Sequence, residues 1–180
     1  MSFAIPGFIN PSLPPIGRVQ AFSFTNQDGQ EVTEKNIKGK VVAVEYFFTT
    51  CSGICPRLNN NLRKVYEAFK NENDFLILSH TSDPATDSAA KLKAYSDSMG
   101  VNTGKWIFLT GSKDTLYYMA RHTYKIDDPG NNVVKVEDDF LHTQFIALVN
   151  RKGEIVNIYD GLKPSEMALM EKNIRQLLKK

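Results

Sequence analysis

The sequence has little cysteine, little histidine and almost no tryptophan: two, three and one in 180 residues. Two cysteines are too few for a disulfide-stapled scaffold. Long apolar runs are missing as well, and no stretch approaches the roughly 20 apolar residues of a membrane span. The opening "MSFAIPGFINPSLPPIGRV" has no basic region followed by an apolar core, so it does not read as a signal peptide. That leaves a cytosolic chain or one whose leader has been removed, and composition does not choose between them. Excess charge of one sign is also lacking. The formal net charge is +2, and the 22 basic residues are scattered except for Lys179-Lys180, which excludes a nucleic-acid footprint. Internal repeats and low-complexity tracts are absent.

What is present fits one soluble globular domain: 42% apolar and 23% charged residues. Residues 1–20 carry Pro6, Pro11, Pro14 and Pro15 and read as an extended lead-in to a domain spanning 21–180. "AFSFTNQDGQEVT" (21–33) predicts two short strands turning at Asp28-Gly29. "GKVVAVEYFF" (39–48) is the apolar, β-branched run of a central buried strand. Beyond it Leu58, Leu62, Val65, Tyr66 and Phe69 recur at helical spacing, with Pro56 in the first turn. Strands follow at 73–83 and 105–111, and helices at 85–100 and 112–124, closed by Gly100 and opened by a Ser cap respectively. Thr86 or Asp87 is the expected cap of the first of these helices. Residues 128–139 predict a turn with one strand, 142–161 a hairpin turning at Lys152-Gly153, and 163–180 an amphipathic helix begun by Pro164 and Ser165. The order βαβαβαββα implies an α/β fold with a mixed central sheet flanked by helices and an N-terminal β extension.

Cys51 and Cys55 lie where the central strand passes into a helix, the usual place for ligands in α/β sheets. The positive potential of a helix N-terminus favours thiolate there. Side chains four apart on a helical turn are neighbours, so the pair can chelate one soft metal ion or close into a disulfide. Two buried thiols acting as small hydrophobes is the bland alternative. Structural zinc needs four ligands, and no second pair stands at zinc spacing. Among the histidines, His80 ends a strand and reads as structural. His122, near a helix end, reads as structural or surface. His142 opens the strand "TQFIALVN" after Glu137-Asp138-Asp139, a setting in which a single histidine is more often structural than a ligand.

Three stretches in order resemble the Sco/SenC family of thioredoxin-like copper-binding proteins. They are "FSFTNQDGQEVTEKNIKGKVVAVEYFFTTCSGICP", "SDPATDS" (82–88) and "FLHTQFIALVNRKGEIVNIYDG" (140–161). The resemblance covers roughly residues 20–180. It implies a thioredoxin-like fold in which Leu141-His142-Thr143 occupies the segment that carries a cis-proline in ordinary thioredoxin-like proteins. It further implies that Cys51, Cys55 and His142 bind copper, with Asp83 or Asp87 of the acidic loop as an added ligand. Two thiolates and an imidazole suit Cu(I), and Cu(II) would take a further oxygen. One departure stands out: many members carry Pro-Asp between the cysteines, and this chain has Ser52-Gly53-Ile54. A local negative charge is thereby lost, which bears on redox tuning more than on ligation.

The resemblance implies a copper metallochaperone for the dinuclear copper site of cytochrome c oxidase. Its partners would be the copper-bearing oxidase subunit or another copper chaperone, with the chain itself a monomer. A thiol-disulfide oxidoreductase working through Cys51 and Cys55 is the alternative, with a turnover activity. A third reading is a peroxide-reducing thioredoxin-like protein passing through a sulfenic acid, with Thr49, Thr50 and Arg57 beside the motif. His142 favours copper, since a pure dithiol enzyme has no need of an imidazole in place of the proline. The expected location is the periplasm or an equivalent oxidising side of a membrane. The family's usual N-terminal tether implies a membrane-anchored full-length protein of which this chain is the soluble part.

Overall fold

The computed structural model describes residue 9, residues 14–128 and residues 139–179. The chain enters through a two-residue strand, β1 (Gly17–Arg18), and a hairpin of β2 (Ser23–Asn26) and β3 (Glu31–Thr33). Asn26 closes the hairpin turn: its Oδ1 accepts from the N–H groups of Asp28 and Gln30, both at 2.9 Å. Gly29, at φ 74°, supplies the left-handed residue that the turn requires. A 3-10 turn (Glu34–Ile37) then leads into β4 (Val41–Phe47), every residue of which is buried. Next come α1 (Ile54–Phe69), β5 (Phe75–Thr81), α2 (Ala89–Met99), β6 (Trp106–Thr110) and α3 (Lys113–Tyr118). A π-helical turn (Met119–Thr123) extends α3, and the chain ends with β7 (Phe145–Val149), β8 (Glu154–Asp160) and α4 (Pro164–Leu178).

One eight-stranded sheet results, in the order β1-β8-β7-β4-β5-β6-β2-β3. Strands β4, β5 and β6 are parallel, as crossovers through α1 and α2 require. Strands β7 and β8 add antiparallel on one side, and the N-terminal hairpin adds antiparallel to β6 on the other. The period-2 pleat of β4 divides the core. Val41, Ala43 and Phe47 face a layer of α1, α2 and α4, where Leu58, Leu62, Leu92, Met170 and Ile174 are buried. Val42, Val44 and Tyr46 face the opposite layer, with Leu116, Met119 and Ala120 from α3 and its π turn.

Two local expectations change, and a third falls outside the described residues. The helix expected over 112–124 is α-helical only to Tyr118. Its last turn widens, with Tyr124 N–H donating to the Met119 carbonyl at 2.7 Å and Ile126 N–H to Ala120 at 2.9 Å. Helix α2 is capped by Ser88, whose hydroxyl accepts from Lys91 N–H, and not by Thr86 or Asp87. Asp87 turns inward instead, for reasons given below. The strand expected within 128–139 falls largely on residues 129–138, outside the described residues.

Candidate functional site

Strand β4 delivers its chain to the edge of the core at Phe48, and α1 begins at Ile54. The two cysteines bracket that passage. Cys51 is half-buried on the loop, and its N–H donates to the Phe48 carbonyl at 3.2 Å. Cys55 lies in the first turn of α1 and is 5% exposed, within the apolar cluster that holds Leu58 and Phe47. Both are free thiols, and their side chains hydrogen-bond to one another.

The expectation of a thiolate-favouring helix terminus does not hold for Cys55. Burial first, and then the hydrogen bond with Cys51, push its thiol up to about 12. The helix end is outweighed because the side chain is inside the first turn and under the core. Beneath it stands Glu45, a carboxyl on the α1-facing side of β4 and fully buried. Ser79 Oγ donates to Glu45 at 2.5 Å and itself accepts from Trp106 Nε1 at 2.8 Å. The Asn59 amide nitrogen donates to the Tyr95 hydroxyl at 2.7 Å, which leaves its Oδ1 facing the Glu45 carboxyl, where it accepts the proton of a neutral acid. Desolvation raises Glu45 to about 8, so it is a neutral acid at pH 7. Sequence reading passed over Glu45, although a single acid within "VVAVEYFF" is itself a signal.

His142 reaches the same end of the sheet from the segment before β7. It is exposed, and its ring lies 5.6 Å from Phe48 and 4.8 Å from Phe140, centroid to centroid. Phe48 and Phe140 meet edge-on at 5.0 Å. Phe48, expected in the core, is instead half-buried and stands with His142 beside the dithiol loop, whereas Tyr46 and Phe47 are core residues. Among the described residues, no group of three His, Cys, Asp or Glu side chains is close enough to hold a metal ion. The fold thus joins the two sulfurs directly and brings the imidazole to their loop through Phe48.

The acidic loop is partly structural. Asp87 is fully buried, accepting from Thr49 N–H at 3.1 Å, from the Thr49 hydroxyl and from the Thr81 hydroxyl at 2.7 Å. It fastens the dithiol loop to the end of β5. Asp83 is half-buried, and its carbonyl accepts from the N–H groups of Thr86 and Asp87. The other histidines are apart from the site. His80 is fully buried, stacked on Tyr46 at 4.8 Å, and burial lowers it to about 3. His122 is exposed and stacks on Tyr118.

The SCO1/SenC family profile matches residues 14–179 of the chain. The chain belongs to the SCO1/SenC family. The SCO1 protein homolog of Bacillus subtilis is 31% identical over 150 residues, covering 81% of this chain and 75% of that protein. The structure of BsSco is similar with a TM-score of 0.76 at 26% identity, over 92% of this chain and 96% of that one. It is described as having a disulfide switch and as a member of the Sco family of cytochrome c oxidase assembly proteins. ScoI of Arabidopsis thaliana, solved with copper bound, is similar with a TM-score of 0.68 at 27% identity, over 87% of this chain and 98% of that one. The sheet order and helix layers above are accordingly the thioredoxin-like α/β fold of SCO1/SenC proteins. Among the described residues, no helix of this SCO1/SenC chain is long and apolar enough to cross a membrane.

Proposed function

We propose that this SCO1/SenC protein carries one copper ion on Cys51, Cys55 and His142 and delivers it for assembly of the dinuclear copper site of cytochrome c oxidase. The observation that supports the reading is a pair of adjacent thiols with an exposed imidazole whose ring lies 5.6 Å from Phe48, at the start of their loop. Two soft sulfurs and one nitrogen suit Cu(I), and copper is here the cargo. The copper-bound Arabidopsis relative and the oxidase-assembly description of BsSco support this reading. An exposed His142 can turn on its side-chain bonds to join the sulfurs. Binding deprotonates Cys55, so affinity rises with pH. Of the acidic loop, Asp83 is the candidate for a further oxygen, because the Asp87 oxygens are taken by Thr49 and Thr81. The partner is the copper-bearing oxidase subunit or another copper chaperone, met on the periplasmic or equivalent face of a membrane to which the full-length protein is anchored.

A second reading, thiol-disulfide exchange, is favoured by the asymmetry of the two thiols. The half-buried Cys51 sulfur would attack a partner's disulfide, forming a mixed disulfide and releasing one partner thiolate. Cys55 would then attack the Cys51 sulfur, releasing the second partner thiol, reducing the partner and oxidising the Cys51–Cys55 pair. Anaerobic copper titration of the reduced protein, run beside His142→Ala, separates the two. One tight equivalent, with sulfur-to-copper charge-transfer bands altered in the variant, is the expected result. Equal affinity in His142→Ala would remove His142 from the ligand set. No specific copper binding, with a disulfide that cycles readily, would leave the exchange reading.

A further inference from the structure

We propose that Arg121 and Tyr117 are positioning residues for His142: together they clasp alternate residues of segment 139–143, so that the intervening residues face the dithiol loop. The inference rests on the copper reading above.

The clasp follows the period-2 alternation of an extended segment. Asp139, Leu141 and Thr143 turn inward and are pinned, whereas Phe140 and His142 are exposed and both touch Phe48. The Asp139 carboxylate is gripped by both terminal nitrogens of Arg121, at 2.6 and 2.8 Å. Arg121 Nε donates to Asp127 at 2.8 Å, and the three side chains are 5%, 11% and 8% exposed. A paired fork in so dry a site fixes orientation as well as distance. Leu141, 1% exposed, donates its N–H to the Tyr117 hydroxyl at 3.2 Å. That hydroxyl donates in turn to the Ser82 carbonyl at 2.6 Å, beside Asp83. The Thr143 hydroxyl donates to the Ile126 carbonyl at 2.6 Å. The pins come from α3, its π turn and the residues just after it, and the Arg121 guanidinium also stands 5.4 Å from the Tyr117 ring.

The imidazole itself meets the rings of Phe48 and Phe140. It lines a groove of about 700 Å³ that runs from Ile54 at the start of α1 to Arg121 and Asp127. The backbone of His142 is therefore held while its side chain has room to turn toward the sulfurs. Neither Arg121 nor Tyr117 is placed to touch copper; each acts through His142.

The test is a double-mutant cycle. Arg121→Lys keeps the charge but loses the two-pronged grip on Asp139. Tyr117→Phe removes one hydroxyl, keeps the ring, and carries the test should Arg121→Lys fail to fold. Each is made alone and in the His142→Ala background, and Cu(I) affinity, the Cu(II) spectrum and hydrogen exchange at the Leu141 amide are measured. Expected are a roughly ten-fold or greater loss of affinity with shifted charge-transfer bands, no further loss when His142 is already alanine, and faster Leu141 exchange in the metal-free protein. Equal losses in both backgrounds would make the clasp merely structural and overturn the proposal. Unchanged affinity and exchange in variants whose His142→Ala parent is weakened would overturn it too, leaving the copper reading intact. Should His142→Ala bind copper like the parent protein, His142 leaves the ligand set and the positioning role falls with it, whatever the exchange shows; should the parent protein bind no copper specifically, the copper reading itself fails.

Discussion

Replacing Glu45 by glutamine should free the protein from a large alkaline loss of stability. Glu45 is fully buried, and desolvation raises it from 4.5 to about 8. The folded protein therefore holds a proton that the unfolded chain gives up above pH 4.5. Stability from this group is fully present below pH 4.5 and falls as pH rises toward 8. One pH unit of difference corresponds to about 1.4 kcal/mol, so the loss reaches about 3 kcal/mol at pH 7 and about 5 kcal/mol above pH 8. Out of a total stability of about 5–15 kcal/mol, that loss would dominate the alkaline limb. Glutamine is neutral and keeps an oxygen for the Ser79 hydroxyl, so the variant should lose the slope without opening a cavity. His80 acts in the opposite direction. Its folded value is lowered from 6.5 to about 3, so its contribution is present above pH 6.5 and is lost as pH falls toward 3. Between pH 4.5 and 6.5 the two slopes cancel, and a plateau is expected there. Urea melts from pH 4 to 8.5 would be followed by the fluorescence of Trp106, the single tryptophan, whose indole donates to the Ser79 hydroxyl of the same network. Parallel curves for Glu45→Gln and the parent protein between pH 6.5 and 8 would refute the assignment of Glu45 as a buried neutral acid.

Cys51 and Cys55 should differ in reactivity. Iodoacetamide at pH 8 is expected to label Cys51 and spare Cys55 in the folded, reduced protein, since Cys55 is buried and its thiol is pushed up to about 12. Peptide mapping checks this, and equal labelling would show that the first turn of α1 opens on the labelling timescale. Ser88→Ala should cost about 1 kcal/mol by removing the cap of α2; Asp87→Asn should cost more, because it weakens three hydrogen bonds of a buried carboxylate to the dithiol loop and β5. Chemical denaturation of both variants tests the order, and a larger loss for Ser88→Ala would show that the Asp87 hydrogen bonds contribute less than the α2 cap.

Much of this was open to a reader of the chain. The β-branched run at 41–47 could only be a strand buried on both faces, and the spacing of Leu58, Leu62, Val65 and Phe69 only a helix packed along one side. Gly100, at φ 65°, ends α2 where a left-handed residue was needed. The two thiols are neighbours because only three residues separate Cys51 on the loop from Cys55 in the first turn of α1, so their pairing required no knowledge of the rest of the chain. The family resemblance, carried by three stretches in order, pointed to His142 as their companion.

What the sequence could not supply is anything that depends on which side chains burial strips of water. Motif and spacing made Cys55 a helix-end thiol, and only the packing of Leu58 and Phe47 around it reversed the direction of its titration. Asp87 reads as a cap or a ligand along the chain, yet three donors from two other segments draw it into the interior. Arg121 and Asp139, 18 residues apart, carry no local sign of each other. The chain by itself determined the elements, their order and the dithiol, because those follow from periodicity and short-range spacing. Tertiary structure alone decided the neutral Glu45 below the thiols and the clasp behind His142, because desolvation and ion pairing depend on neighbours that only the folded sheet brings together.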